Sequence, residues 1–141
     1  MLTGMRHLHS TIAVILLLAL VISIVITAVN YFKANPYNRK IALIGFIAAH
    51  LQLLIGIIFF FLSDFHKMFS SGVMGDKLLR FKLIEHPLTM IIAIVLITIG
   101  YSKAKKAKEA YLANRTVFIM YSIALILILI RIPWSTWSLI N

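Results

Sequence analysis

Four long apolar runs, separated by short polar connections, dominate the pattern of the chain. The runs cover about residues 10–30, 41–62, 83–101 and 116–131. An α-helix rises about 1.5 Å per residue, so about 20 apolar residues cross the hydrocarbon core of a bilayer. The pattern therefore predicts an all-α integral membrane protein, a four-transmembrane-helix bundle formed by a single domain of 141 residues.

Two local signals refine the third run. Asp76 is a typical helix N-cap residue, so a helix is predicted to begin at Lys77 and to continue into the third span. Pro87 then falls inside that helix rather than in its first turn. A proline at such a position removes a backbone hydrogen bond, and we expect a kink about one turn below the membrane surface.

The composition supports a membrane protein and excludes several classes of function. Hydrophobic residues make up 62% of the chain, against about 45–50% apolar residues in soluble domains. The absence of cysteine excludes disulfides, thiolate metal sites and cysteine nucleophiles. The sequence also contains no nucleophile–base–acid set, phosphate loop or carboxylate metal cluster. An electron-transfer or accessory subunit is therefore a better interpretation than a stand-alone enzyme.

The net charge of +10 comes mainly from basic residues that lie between the apolar runs. There, Lys and Arg set membrane topology and contact anionic lipid headgroups, and no soluble surface remains to bind nucleic acid. The connections 31–40 and 101–115 carry eight of the 14 basic residues, and the opposite side carries six. Because the more basic side faces the cytoplasm, both termini are predicted to lie outside the cytoplasm.

The histidines in or next to the apolar runs differ in their predicted depth in the membrane. His9 in span one and His86 in span three lie about one turn inside the outer boundary, whereas His50 lies on the order of 10 Å deeper, near the midplane. Two histidines on facing helices, at nearly the same height, can supply both axial ligands of a haem iron. His9 and His86 are therefore the predicted ligands of one haem b near the outer face. The alternative is that both are interfacial histidines without a ligand.

Other polar residues are secondary candidates for cofactor binding. Arg6 and Arg80 would lie closer to the headgroups, where a guanidinium can bind a haem propionate. Glu85 points to a different face from His86 and could accept a proton from a quinol. His50 and Gln52 are predicted to form hydrogen bonds between spans, with a quinone contact or a second haem ligand as the alternative.

Several stretches of the chain look familiar, and together they cover nearly all of it: AHLQLLIG (49–56), LRFKLIEHPLTMIIAIVLITIGYSKAKKA (79–107) and IALILILIRIPW (123–134). They resemble a family of small bacterial four-span proteins that carries the name cytochrome B. The resemblance implies haem b, electron transfer in a respiratory chain and a location in the bacterial inner membrane. The chain departs from a dihaem cytochrome b in lacking paired histidines on two spans at two depths, so a transmembrane electron path is not implied.

Two functions of different classes are compatible with these observations. The first is a b-type cytochrome-like subunit that binds one haem near the outer face and transfers electrons, with quinol as a possible donor. The second is a cofactor-free accessory subunit that packs on a larger membrane complex. Both place the chain in a lipid bilayer beside other membrane subunits or a second copy of itself. They differ in whether His9 and His86 face each other.

Overall fold

Four long helices form the fold in the computed structural model, which describes residues 2–135 and 137. No strand occurs in these residues, and all four helices are long and apolar enough to cross a membrane. The predicted all-α fold with four such helices is therefore confirmed. The helices are α1 (Leu2–Phe32), α2 (Arg39–Leu62), α3 (Lys77–Lys106) and α4 (Ala110–Arg131).

The helices extend beyond the apolar runs from which they were predicted. Polar residues that follow an apolar run continue the helix, because nothing in them breaks its hydrogen bonding. The basic stretch after Tyr101 continues α3 as far as Lys106. Only residues 107–109 separate α3 from α4. The connection between α2 and α3 is longer and contains two short 3₁₀ turns, Phe65–Lys67 and Val73–Gly75.

The start of α3 shows how the chain accommodates Pro87. As predicted, Asp76 caps the helix, and its carboxylate accepts hydrogen bonds from the backbone N–H groups of Leu78 and Leu79. The helix then passes through a π-helical segment, Phe81–Glu85, immediately before His86 and Pro87. A proline inside a helix removes one i→i−4 hydrogen bond and clashes with the preceding turn. The wider π turn accommodates the proline, and such turns are frequent at functional sites.

Contacts between the helix ends show that the bundle runs up and down. The start of α1 contacts the C-terminal half of α2, where the Gln52 side chain donates a 2.8 Å hydrogen bond to the His9 carbonyl. At the opposite end, Asn114 of α4 donates to the carbonyl of Asn35, after α1, at 3.2 Å. Helix α1 packs on α2 and α4, and α4 packs on α3, whereas the contact of α2 with α3 is the smallest of the four. The four helices therefore form a ring around a shared interior.

The surface and the interior of the bundle differ from those of a soluble protein. Large apolar side chains such as Leu18 and Ile126 point outward and are 59% and 57% exposed. Ser23, Thr27 and Asn114 are polar, yet their exposed fraction is zero. Small polar residues between helices and apolar residues outside are the distribution that a lipid-surrounded bundle requires.

Hydrogen bonds to backbone carbonyls join the helices in the half of the bundle opposite the termini. The Tyr121 hydroxyl of α4 donates to the Ala42 carbonyl of α2 at 2.8 Å, and the Ser23 hydroxyl of α1 donates to the Ile41 carbonyl at 2.9 Å. Gly45 leaves room for these side chains, since a Cβ there would lie 3.2 Å from the Tyr121 ring. In the adjacent connection, burial and, to a lesser extent, the Tyr101 phenol raise the pKa of Tyr37 to about 12, so this phenol stays neutral.

His50 forms the hydrogen bond between spans that the sequence predicted. Its Nε2 lies 3.1 Å from the Thr98 hydroxyl of α3, and its Nδ1 lies 2.8 Å from the Phe46 carbonyl on its own helix. Because a carbonyl oxygen can only accept, Nδ1 carries the proton. This pair joins α2 to α3, the two neighbouring helices with the smallest contact.

Candidate functional site

A cavity of about 640 Å³ lies between all four helices in the half of the bundle that contains the start of α1 and α3. Sites for small molecules and cofactors typically measure about 300–1,000 Å³ and are mostly apolar with a few placed polar groups. The wall of this cavity is likewise mostly apolar, because aromatic and aliphatic side chains form most of it. Its aromatic residues include Phe59, Phe60, Phe65 and Phe81.

His9 and His86 meet in this cavity. Their ring centroids are 6.5 Å apart, and the ring planes are inclined by 81°. Both side chains line the cavity, one from α1 and one from α3. The equal depth that the sequence predicted for these two histidines therefore corresponds to a direct approach of their rings.

The environment of His86 fixes its protonation pattern. Its Nδ1 lies 2.7 Å from the backbone carbonyl of Arg131, the last residue of α4. A carbonyl can only accept, so Nδ1 must carry the proton in neutral imidazole, and the lone pair is left on Nε2. Histidines that bind metals usually donate their other ring N–H to a carbonyl or carboxylate in this way. Nε2 of His86 is thus the ring nitrogen whose lone pair is available.

One face of α2 holds His9. Gln52, Gly56 and Phe59 follow the i, i+4, i+7 spacing that places residues on the same side of a helix. Gln52 binds the His9 carbonyl, and the Phe59 ring centroid lies 5.8 Å from that of His9. A Cβ on Gly56 would lie 3.2 Å from Cε1 of His9, so glycine gives the imidazole its space. Within the described chain, Nδ1 of His9 is buried and has no hydrogen-bond partner.

Two basic side chains, Arg6 of α1 and Lys82 of α3, also line the cavity. Arg6 was predicted as a cofactor-binding residue, and the structure places it at the cavity. Arg80 and Glu85, the other two candidates on α3, are not among the lining residues. Instead, Nε of Arg80 donates to the Glu85 carboxylate at 2.8 Å, and its Nη1 donates to the Met74 carbonyl.

The remaining candidates divide between the cavity and its surroundings. Gln52 lines the cavity, and its buried Oε1 has no partner within the described chain. His50 lies outside the cavity wall, where Thr98 and Phe46 already bind both ring nitrogens. His7 and His66 are exposed and do not line the cavity.

Three contributions to the site were missed by sequence reasoning. The sequence contained a signal for Gly56 and for Lys82. Gly56 lies four residues from Gln52, and Lys82 lies four residues from His86, so each pair shares one face of its helix. The Arg131 carbonyl had none, since a backbone acceptor leaves no trace in the amino-acid sequence. It becomes visible only when α4 is placed against α3.

The separation of the two imidazole rings is compatible with two nitrogen ligands of one metal ion. A metal–imidazole nitrogen bond is about 2 Å long, so two such rings on one metal have their centres about 6 Å apart. The observed 6.5 Å agrees with this spacing. No group of three or more His, Cys, Asp or Glu that could hold a metal ion occurs in the described chain.

Comparisons with family models, with curated proteins and with solved structures find no match to this chain. The resemblance to small four-span cytochrome B proteins therefore stays a prediction, and the function is inferred from the site itself.

Proposed function

We propose that this chain is a b-type cytochrome-like membrane subunit that binds one haem b between α1 and α3. The main observation behind this proposal is that His9 and His86 approach each other in one apolar cavity, with ring centroids 6.5 Å apart. The hydrogen bond of His86 Nδ1 to the Arg131 carbonyl supports the proposal, because it leaves the lone pair of Nε2 available to a metal.

Each part of the cavity has a role in holding such a group. His9 and His86 supply the two nitrogen ligands, and Gln52 fixes the turn of α1 that carries His9. The aromatic wall excludes water, and the low polarity around a site strengthens its electrostatic interactions. Haem b supplies a one-electron couple when it is bound. The proposal thus assigns the chain to electron transfer, with quinol as a possible donor and other membrane subunits, or a second copy, as partners.

The same proposal places the bundle in a bacterial inner membrane with both termini outside the cytoplasm. The support is the four apolar helices together with the excess of Lys and Arg near the 31–40 and 101–115 connections. The structure places these two connections at one end of the bundle, where Asn114 binds the Asn35 carbonyl. In this orientation the cavity opens in the outer half of the membrane.

The direct test is the absorbance of the purified full-length protein. We expect a reduced-minus-oxidised difference spectrum with the α-band of a b-type haem, at a stoichiometry of one haem per chain. A folded, helical preparation that shows no such band, even after incubation with haem, would contradict the proposal. The cofactor-free accessory subunit would then be the better interpretation.

The orientation has its own test. A reporter enzyme that is active only outside the cytoplasm should be active when it is fused after Asn141, because the more basic connections stay inside. The same reporter, inserted in the 107–109 connection, should be inactive. The reverse pattern of activities would overturn the orientation and move the cavity to the cytoplasmic half.

A further inference from the structure

We infer that the cavity selects an amphiphilic acid and that Lys82, together with Arg6, binds its carboxylate groups. The inference rests on the proposed function and deepens it, because haem b carries two propionates on one edge of an apolar ring. It assigns to Lys82 the role that was predicted for Arg80 from the sequence.

The first argument is charge balance. None of the four acidic residues of the chain lines the cavity. In the described residues, the ion pairs are those of Lys67 with Asp64 and Arg80 with Glu85. The side chain of Asp76 caps α3, and Glu109 lies in the α3–α4 connection at the opposite end of the bundle. Within the described residues, neither Arg6 nor Lys82 therefore forms an ion pair with an acid of the chain.

The second argument is position along the helices. Arg6 lies three residues before His9, and Lys82 lies four residues before His86. Residues three and four apart lie on the same helix face, about one turn from each other. Since α1 and α3 both begin at this end of the bundle, each histidine has a cation one turn closer to the membrane surface. An occupant that is held by both histidines would meet both cations along one edge.

The third argument concerns Arg80, which has other partners. Its guanidinium binds the Glu85 carboxylate at 2.8 Å and the Met74 carbonyl at 2.9 Å. These contacts tie the start of α3 to the connection before it. Arg80 also lies six residues from His86, which places it on another face of the helix. The basic groups available to bind an acid are therefore the Lys82 ammonium and the Arg6 guanidinium, which line the apolar cavity.

The experiment compares two probes that differ only in their acid groups. Haem-free full-length protein is titrated with ferric protoporphyrin IX and, separately, with its dimethyl ester, and binding is followed by the Soret absorbance. We expect the wild type to bind the free acid about tenfold or more tightly than the ester, because charge-assisted hydrogen bonds are lost with the carboxylates. Lys82→Gln and Arg6→Gln should each weaken binding of the acid but leave binding of the ester unchanged.

Lys77→Gln is the matched control, since Lys77 is a basic residue of the same helix that does not line the cavity. It should keep the full preference for the acid. Retained binding of the ester shows that a variant is folded, so a loss confined to the acid supports the inference. Equal binding of acid and ester by the wild type, or an undiminished preference in both cavity variants, overturns the inference and leaves the proposed function standing. If neither porphyrin binds, both fail.

Discussion

His9→Ala and His86→Ala should each remove the b-type spectrum from the purified protein. Loss of a partner that merely orients a metal ligand typically costs about 10–100-fold in affinity, so loss of an axial ligand should cost more. His86→Ala has a second effect, because it also leaves the Arg131 carbonyl without its donor. The measurement is haem content per folded chain, together with helicity from circular dichroism to confirm that each variant folds.

Two histidine variants serve as controls for this result. His66 is exposed, outside the cavity, and its ring contacts only Phe61 among the ring pairs of the described chain, so His66→Ala should keep full haem content. His50→Gln removes a hydrogen bond between α2 and α3 but lies outside the cavity wall, so it should also keep the spectrum. A normal spectrum in both His9→Ala and His86→Ala would refute the ligand assignment. Loss of haem in His50→Gln alone would show that the site lies deeper.

Gly100→Ala should destabilise the bundle more than any other addition of one methyl group to a glycine of the described chain. A Cβ at this position would lie 2.8 Å from Cβ of Met120 on α4, closer than side chains pack, and neither atom can rotate away. Overpacking of this kind typically costs about 1–3 kcal/mol. The check is reversible unfolding in mixed detergent, followed by circular dichroism.

The matched control for Gly100→Ala is Gly4→Ala. Gly4 is also helical, but no atom lies within 4 Å of the position of its Cβ. Alanine has the higher helix propensity, so this variant should show no loss of stability. If Gly100→Ala proved as stable as Gly4→Ala, α3 and α4 would have to be farther apart at this level than the structure places them.

The sequence was sufficient to predict heights in the bundle but not directions around each helix. His9 and His86 could be matched because each lies a countable number of residues from a predicted helix end, and helical rise converts that number to depth. Arg80 was chosen on height alone, although six residues from His86 correspond to a different face. Lys82, at four residues, satisfies both height and direction.

Other parts of the site depend on contacts between distant segments, which the pattern of one chain does not contain. Gly56, for example, gives space to the His9 imidazole of another helix, and the sequence around Gly56 does not show which side chain it meets. Before Pro87, where a kink is predicted, the structure has a π-helical turn, which the sequence analysis did not predict. The predicted third span ends near Tyr101 because it follows hydrophobicity, which ends before the helix does at Lys106.

The acceptor beside His86 has a consequence for how this site can change through mutation. Arg131 ends α4, and the last carbonyls of a helix have no donor within it, so the imidazole N–H and the helix end satisfy each other. Because the acceptor belongs to the main chain, exchange of the Arg131 side chain leaves it in place. An insertion or deletion within α4 would instead displace it, since each residue moves the end by about 1.5 Å and turns it by about 100°. In related chains, the length of α4 should therefore vary less than the identity of its last residue.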